Sequence, residues 1–199
     1  MNFRSESESA TRQAALWNKG RAKPLFVSIN LSARQFRDPK LLDTVRAALA
    51  ESRVDPGLIK LELTESAVMQ DVAHTERSLR GLKRLGVQLS VDDFGTGYSS
   101  LAYLKRFPID TLKIDRSFVR GLPGDRDDLA ISRAVIDLAR GLRMDVIAEG
   151  IETRAQADVL RASGCEFAQG YLFGRPADPD KLDLGGKPRA ARGARRRAG

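Results

Sequence analysis

Two adjacent carboxylates, Asp92 and Asp93, end the strand-like run from Val87 to Val91. They lead into Phe94-Gly95-Thr96-Gly97-Tyr98-Ser99-Ser100-Leu101. Neighbouring acids repel each other, and burying both is costly unless positive charge joins them. A divalent metal is the simplest partner, because hard ions such as Mg²⁺ and Mn²⁺ prefer carboxylate oxygens. Two such ions about 3.5–4 Å apart can clamp the attacking and leaving oxygens of a phosphodiester. Gly95 and Gly97 let the loop bend and its backbone come close to a ligand. Taken alone, the pair reads equally well as a solvated turn.

The surrounding elements favour the chemical reading. Phe26-Val27-Ser28-Ile29 runs into Asn30, and Leu58-Ile59-Lys60-Leu61 runs into Glu62. Thr111-Leu112-Lys113-Ile114-Asp115 carries Lys113. Val146-Ile147-Ala148 runs into Glu149, and Phe167-Ala168 into Gln169. With the run to Asp92, this makes six βα-type repeats, each bringing a polar group to a strand end. Strands alternating with helices predict a parallel sheet. In a (β/α)₈ barrel the strand C-termini converge on one mouth, where reactive groups gather. An open doubly wound sheet would instead concentrate its ligand contacts at a switch point.

Helix signals fit between these runs. Asp38-Pro39 predicts an N-cap and first-turn proline ahead of Leu41, Leu42, Val45 and Leu49. Asp71 opens a helix to Leu85, which Gly86 closes. Asp125 to Leu142 carries Leu129, Val135, Ile136 and Leu138 as a further helix. Thr153 caps Arg154 to Ser163, with Gly164 as its stop.

Composition narrows the function classes. A chain of 199 residues predicts one domain. It has no run of 18 apolar residues and no apolar stretch in Met1 to Ala10, so neither a membrane span nor a signal peptide is expected. One cysteine, Cys165, excludes an internal disulfide and suits a reducing cytoplasm; it reads as a core filler. His74, the only histidine, lies among polar helix residues, against a histidine triad or a zinc site. Of the net charge of +8, six positive charges lie in Lys187, Arg189, Arg192, Arg195, Arg196 and Arg197, leaving +2 for residues 1–184. The basic patch is therefore a tail, with no sign of specific nucleic-acid recognition.

Asn30-Leu31-Ser32-Ala33-Arg34-Gln35-Phe36, Glu62-Leu63-Thr64-Glu65-Ser66 and Asp92-Asp93-Phe94-Gly95-Thr96-Gly97-Tyr98-Ser99-Ser100-Leu101 together resemble the EAL-domain family. So do Leu112-Lys113-Ile114-Asp115, Ala148-Glu149-Gly150-Ile151-Glu152 and Gln169-Gly170-Tyr171-Leu172-Phe173. The likeness runs from about Thr11 to about Lys181. Members of this family are bacterial phosphodiesterases for the second messenger cyclic di-GMP, built on a modified (β/α)₈ barrel. The resemblance implies that Asn30, Glu62 and Asp92 hold a first Mg²⁺ or Mn²⁺, that Asp93 holds a second with Asp92 bridging, and that Glu149 completes the set. It implies that Lys113 orients the nucleophilic water, that Glu152 and Gln169 order water or substrate, and that Gly95 and Gly97 line the substrate site. Glu65 would anchor the loop from Gly95 to Ser99. The implied product is linear pGpG, and the family allows a homodimer.

The Glu-Ala-Leu strand that names the family is absent from the sequence, together with its metal-binding glutamate. The expected fold is thus a partial TIM-type barrel lacking its N-terminal strand or strands. Residues 1–10 read as a disordered segment, 11–184 as the truncated domain, and 185–199 as a basic disordered tail. Two functions follow: a phosphodiesterase that works with the remaining ligands, or an inactive module that binds cyclic di-GMP or a protein. Asp93-Phe94-Gly95 also spells a kinase motif, but no glycine-rich loop or His-Arg-Asp loop accompanies it.

Overall fold

The computed structural model describes residues 3–97, 101–182 and 184. In chain order the elements are α1 (Phe3–Asn18), β1 (Val27–Asn30), α2 (Ala33–Phe36), α3 (Leu41–Ser52), β2 (Ile59–Thr64), α4 (Glu65–Met69), α5 (Val72–Arg84) and β3 (Gln88–Phe94). They continue with α6 (Leu101–Leu104), β4 (Thr111–Ile114), α7 (Ser117–Arg120), α8 (Arg126–Leu142), β5 (Asp145–Ala148), α9 (Arg154–Ala162) and β6 (Phe167–Ala168). All strand pairs are parallel, and the sheet order β1-β2-β3-β4-β5-β6 repeats the chain order. The result is a half-barrel, the partial TIM-type arrangement expected from the βα repeats. Among the described residues no helix is long and apolar enough to cross a membrane.

Alternation along the strands divides the two faces of the sheet. Leu61, Leu63, Leu89, Val91, Leu112 and Ile114 are fully buried. Burying each such side chain is worth about 1.5–3 kcal/mol. α8 packs on β4 and β5, and α5 on β3, on this apolar side. The alternate positions on the concave face are polar: Lys60 and Glu62 on β2, Ser90 and Asp92 on β3, Thr111 and Lys113 on β4. At the β6 edge the concave face opens to solvent, and Phe167 is 49% exposed.

Caps set most helix starts as the sequence predicts. Asp71 accepts from His74 N–H, Asp125 from the N–H groups of Asp127 and Asp128, and Thr153 forms a capping box with Gln156. Two expectations are corrected. α3 begins at Leu41 rather than Pro39, because Asp38 folds into its own turn: its carboxylate accepts from Lys40 N–H, and its carbonyl from Leu41 N–H. The segment expected to be disordered before Thr11 is helical from Phe3. Its Ser- and Glu-rich composition hides a helical face, since Phe3, Ser7, Thr11 and Ala14 are all buried. Ser7 and Thr11 satisfy their hydroxyls on the carbonyls of Arg4 and Glu8, and Thr11 also reaches Ala48 of α3. Arg4 and Glu8 add an i,i+4 ion pair. The basic tail lies outside the described residues.

Candidate metal and active site

Lys113, on β4, is the hub of the strand-end cluster. It is 2% exposed. Its Nζ lies 2.6 Å from Glu62 Oε2, 3.1 Å from Asp92 Oδ2 and 2.5 Å from Glu149 Oε1. Each partner comes from a different strand end: β2, β3 and the residue after β5. Burial alone would push the Lys113 amine down. The Glu62 charge and the hydrogen bonds to Glu149 and Glu62 outweigh it and hold the ammonium above the ordinary lysine range. Lys113 is therefore a fixed cation.

Asp93 diverges from its neighbour because of the backbone. The β3–β4 register slips between Val91 and Phe94, and Asp93 takes φ 54°, the left-handed region. Such bulges re-aim side chains next to functional sites. Burial, then the charges of Asp92 and Asp115, push the Asp93 carboxyl above its ordinary range. Burial also raises Glu149, helped by the Asp92 and Glu62 charges and opposed by Lys113. Carboxylate oxygens of Asp92, Asp93 and Glu149 all lie within 4.8 Å of one another. Glu62, Asp92 and Glu149 thus meet at one ammonium, with Asp93 beside Asp92 and Asp115 beside Asp93. Hard oxygen donors with excess negative charge fit one or more divalent cations.

The other expected residues divide clearly. Asn30 ends β1 in register with Glu62 but is exposed. Gln169 follows β6 and Glu152 lies three residues beyond Glu149; both are exposed, and their side chains make no hydrogen bond among the described residues. Glu65 is 2% exposed, and its Oε2 accepts from Gly95 N–H at 2.9 Å. A Cβ on Gly97 would stand 2.9 Å from Glu65 Oε1. Gly95 takes φ +98°, and a Cβ there would stand 3.1 Å from the Phe118 ring. The loop is thus fitted around the glutamate through Gly97; Tyr98 to Ser100 lie outside the described residues. Glu65→Ala strands the Gly95 N–H and is expected to cost about 1–3 kcal/mol, read by urea unfolding. Glu65→Gln keeps an acceptor and should cost less; equal losses in both variants would show that the hydrogen bond is not what holds the loop.

One participant, Asp115, has no role in the sequence reading. Burial pushes it up, but hydrogen bonds from the Ser117 side chain and the Ser117 and Arg116 backbones prevail and hold it below its ordinary range. Its signal was strand alternation, which puts it two residues beyond Lys113 on the same face.

The sequence profile of the EAL domain matches residues 4–176. The chain belongs to the EAL-domain family. Within it, the chain is 45% identical over 175 residues to the bifunctional diguanylate cyclase/cyclic di-GMP phosphodiesterase MucR of Pseudomonas aeruginosa, a stretch covering 88% of this chain and 26% of MucR. It therefore spans about a quarter of that relative's length. The solved PaMucR phosphodiesterase in complex with c-di-GMP superposes with TM-score 0.85 at 45% identity, covering 87% of this chain and 70% of that one. BlrP1 of Klebsiella pneumoniae, solved as a manganese/cy-diGMP complex, gives TM-score 0.79 at 29% identity, over 88% of this chain and 44% of that one. Fold, profile and relatives thus agree on an EAL domain, and this chain's own strand ends carry an acidic cluster suited to a metal.

Proposed function

We propose that this EAL domain hydrolyses cyclic di-GMP to linear pGpG with Mg²⁺ or Mn²⁺. The carrying observation is the Lys113 hub, where three strand-end carboxylates meet one buried ammonium beside Asp93. Asp92, Asp93 and Glu149 would hold the metal, with Asn30 and Glu62 on its β1–β2 side. Bound there, divalent metal supplies acidified water and neutralises the phosphate charge. Lys113 keeps its proton throughout, so it orients water and offsets charge rather than acting as a base. Glu149, ion-paired with Lys113 and next to the proposed metal, would accept the proton that water loses. The new bond joins water oxygen to phosphorus, the bond to one ribose 3′ oxygen breaks, and that oxygen gains a proton. Glu152 and Gln169 order water or substrate at the rim, and the Glu65-anchored loop with Gly95 and Gly97 shapes the substrate side.

A second reading, cyclic di-GMP binding without turnover, is favoured by the exposure of Asn30, at the end of β1, and Gln169, just past β6, at the two edges of an open sheet. One assay separates the two. The purified chain is incubated with cyclic di-GMP and Mg²⁺ or Mn²⁺, and pGpG is followed by chromatography, with Glu62→Ala as control. Turnover that falls by about 100-fold or more in the control supports hydrolysis, the scale that even supporting groups around a metal can reach. Ligand binding without product from a folded chain selects the binding module.

A further inference from the structure

Beneath the carboxylate cluster lies a second buried lysine that the proposed chemistry does not use. Lys60, on β2, is 8% exposed and donates from Nζ to Thr111 Oγ1 of β4 at 2.9 Å. Between them runs β3, so the Lys60 side chain crosses the concave face of a whole strand. Lys113 makes the opposite crossing, from β4 back to Glu62 of β2. Ser90 of β3 is in register with Glu62 on one side and Thr111 on the other, and so lies between the two spans. It is fully buried, and its Oγ has no hydrogen-bond partner among the described residues. Its small side chain leaves room for both lysines to pass. Two strand spacings amount to about 9.5 Å on a flat sheet, and the concave curvature shortens the inner path.

We infer that the Lys60–Thr111 bridge is a positioning device: it fixes the separation of β2 and β4 across which Glu62 and Lys113 meet. Lys60 bonds a hydroxyl rather than a carboxylate, so it braces the site without occupying an oxygen that a metal would use. The inference deepens the metal-dependent reading of the same site and rests on that reading for its consequence, although the brace itself exists without metal. Burial holds the Lys60 amine below the ordinary lysine range, with Asp145 and Glu62 opposing. Coulomb attraction and bracing predict opposite results for Lys60→Met. Removing a cation near the carboxylates would by charge alone tighten divalent-metal binding. Losing a brace would loosen it.

The test has two arms on the whole chain. In the first, ¹H–¹⁵N spectra selective for lysine ammonium groups are recorded without metal; the two buried lysines should give two protected signals. Thr111→Val, which is nearly isosteric, and Lys60→Met should shift or broaden the Lys113 signal, and Lys60→Arg should preserve it. An unchanged Lys113 signal in both Thr111→Val and Lys60→Met overturns the inference. In the second arm, Mn²⁺ is titrated calorimetrically. Lys60→Met should weaken binding about 10-fold or more, the lower end of the loss seen for groups supporting metal ligands, with recovery in Lys60→Arg. Equal or tighter binding in Lys60→Met overturns it. A wild-type chain that binds no Mn²⁺ would defeat the proposed function, while the ammonium spectra would still decide the brace.

Discussion

Lys113→Met should unfold more easily than the wild-type chain by about 3–5 kcal/mol, the range for removing one partner of a buried ion cluster. Methionine keeps much of the stem volume, so the loss reads charge rather than packing. Glu62, Asp92 and Glu149 would lose the ammonium they share, with side-chain exposures of only 7%, 17% and 18%. Urea unfolding at neutral pH, without metal, measures it. Because folding raises the Lys113 pKa, its contribution is complete below the ordinary lysine range and fades only as pH climbs through the raised value. The gap between wild type and variant should therefore stay level from neutral pH up to that range and narrow in strong alkali as the lysine deprotonates. Mn²⁺ should stabilise the variant more than the wild type, since it can replace the missing positive charge. Equal stability of the two proteins would mean that Lys113 does not neutralise the cluster.

Gly170→Ala should be the most damaging change of a single methyl group. A Cβ at Gly170 would stand 2.1 Å from the Ile151 carbonyl oxygen and 2.3 Å from its nitrogen, both backbone atoms. Neither can rotate away. The contact seals two hydrogen bonds, Ile151 N–H to Gln169 O and Leu172 N–H to Ile151 O, each 3.0 Å. Overpacking of this kind costs about 1–3 kcal/mol. The larger effect should be on chemistry. Ile151 follows Glu149 by two residues, and a displacement near 1 Å can lower turnover about 100-fold. Hydrogen exchange at the Ile151 and Leu172 amides, alongside pGpG formation, checks it. Wild-type protection and rate in the variant would mean that this junction yields without consequence.

Much of this architecture was written in local pattern. The six strand runs and their terminal polar residues could be read because alternation and strand-end chemistry are short-range signals. Asp71, Asp125 and Thr153 announced their helices because a cap is a local device. What escaped depended on partners distant in sequence. The helix from Phe3 looks like a solvated Ser/Glu stretch until α3 lies against it and Ala48 receives the Thr11 hydroxyl. Asp38 looked like a cap because its competing turn differs from a helix start by only a few dihedral angles. Lys60 lies inside the β2 run, and nothing near it in sequence announces a reach across β3 to Thr111. Asp115 sat inside a quoted motif, yet its meaning depends on how the bulge turns Asp93 toward it.

The agreement between chain order and sheet order also gives the site a history during synthesis. Glu62 and Lys113 are 51 residues apart, and ribosomes add roughly 5–20 residues per second. Glu62 of β2 therefore emerges about 3–10 s, and Asp92 of β3 about 1–4 s, before the lysine that will neutralise them. A nascent chain in that interval has an acidic, unclosed edge, and β4 is the strand whose arrival converts repulsion into attraction. The centre on which the proposed chemistry rests is thus also a latch that can close only once β4 has been made.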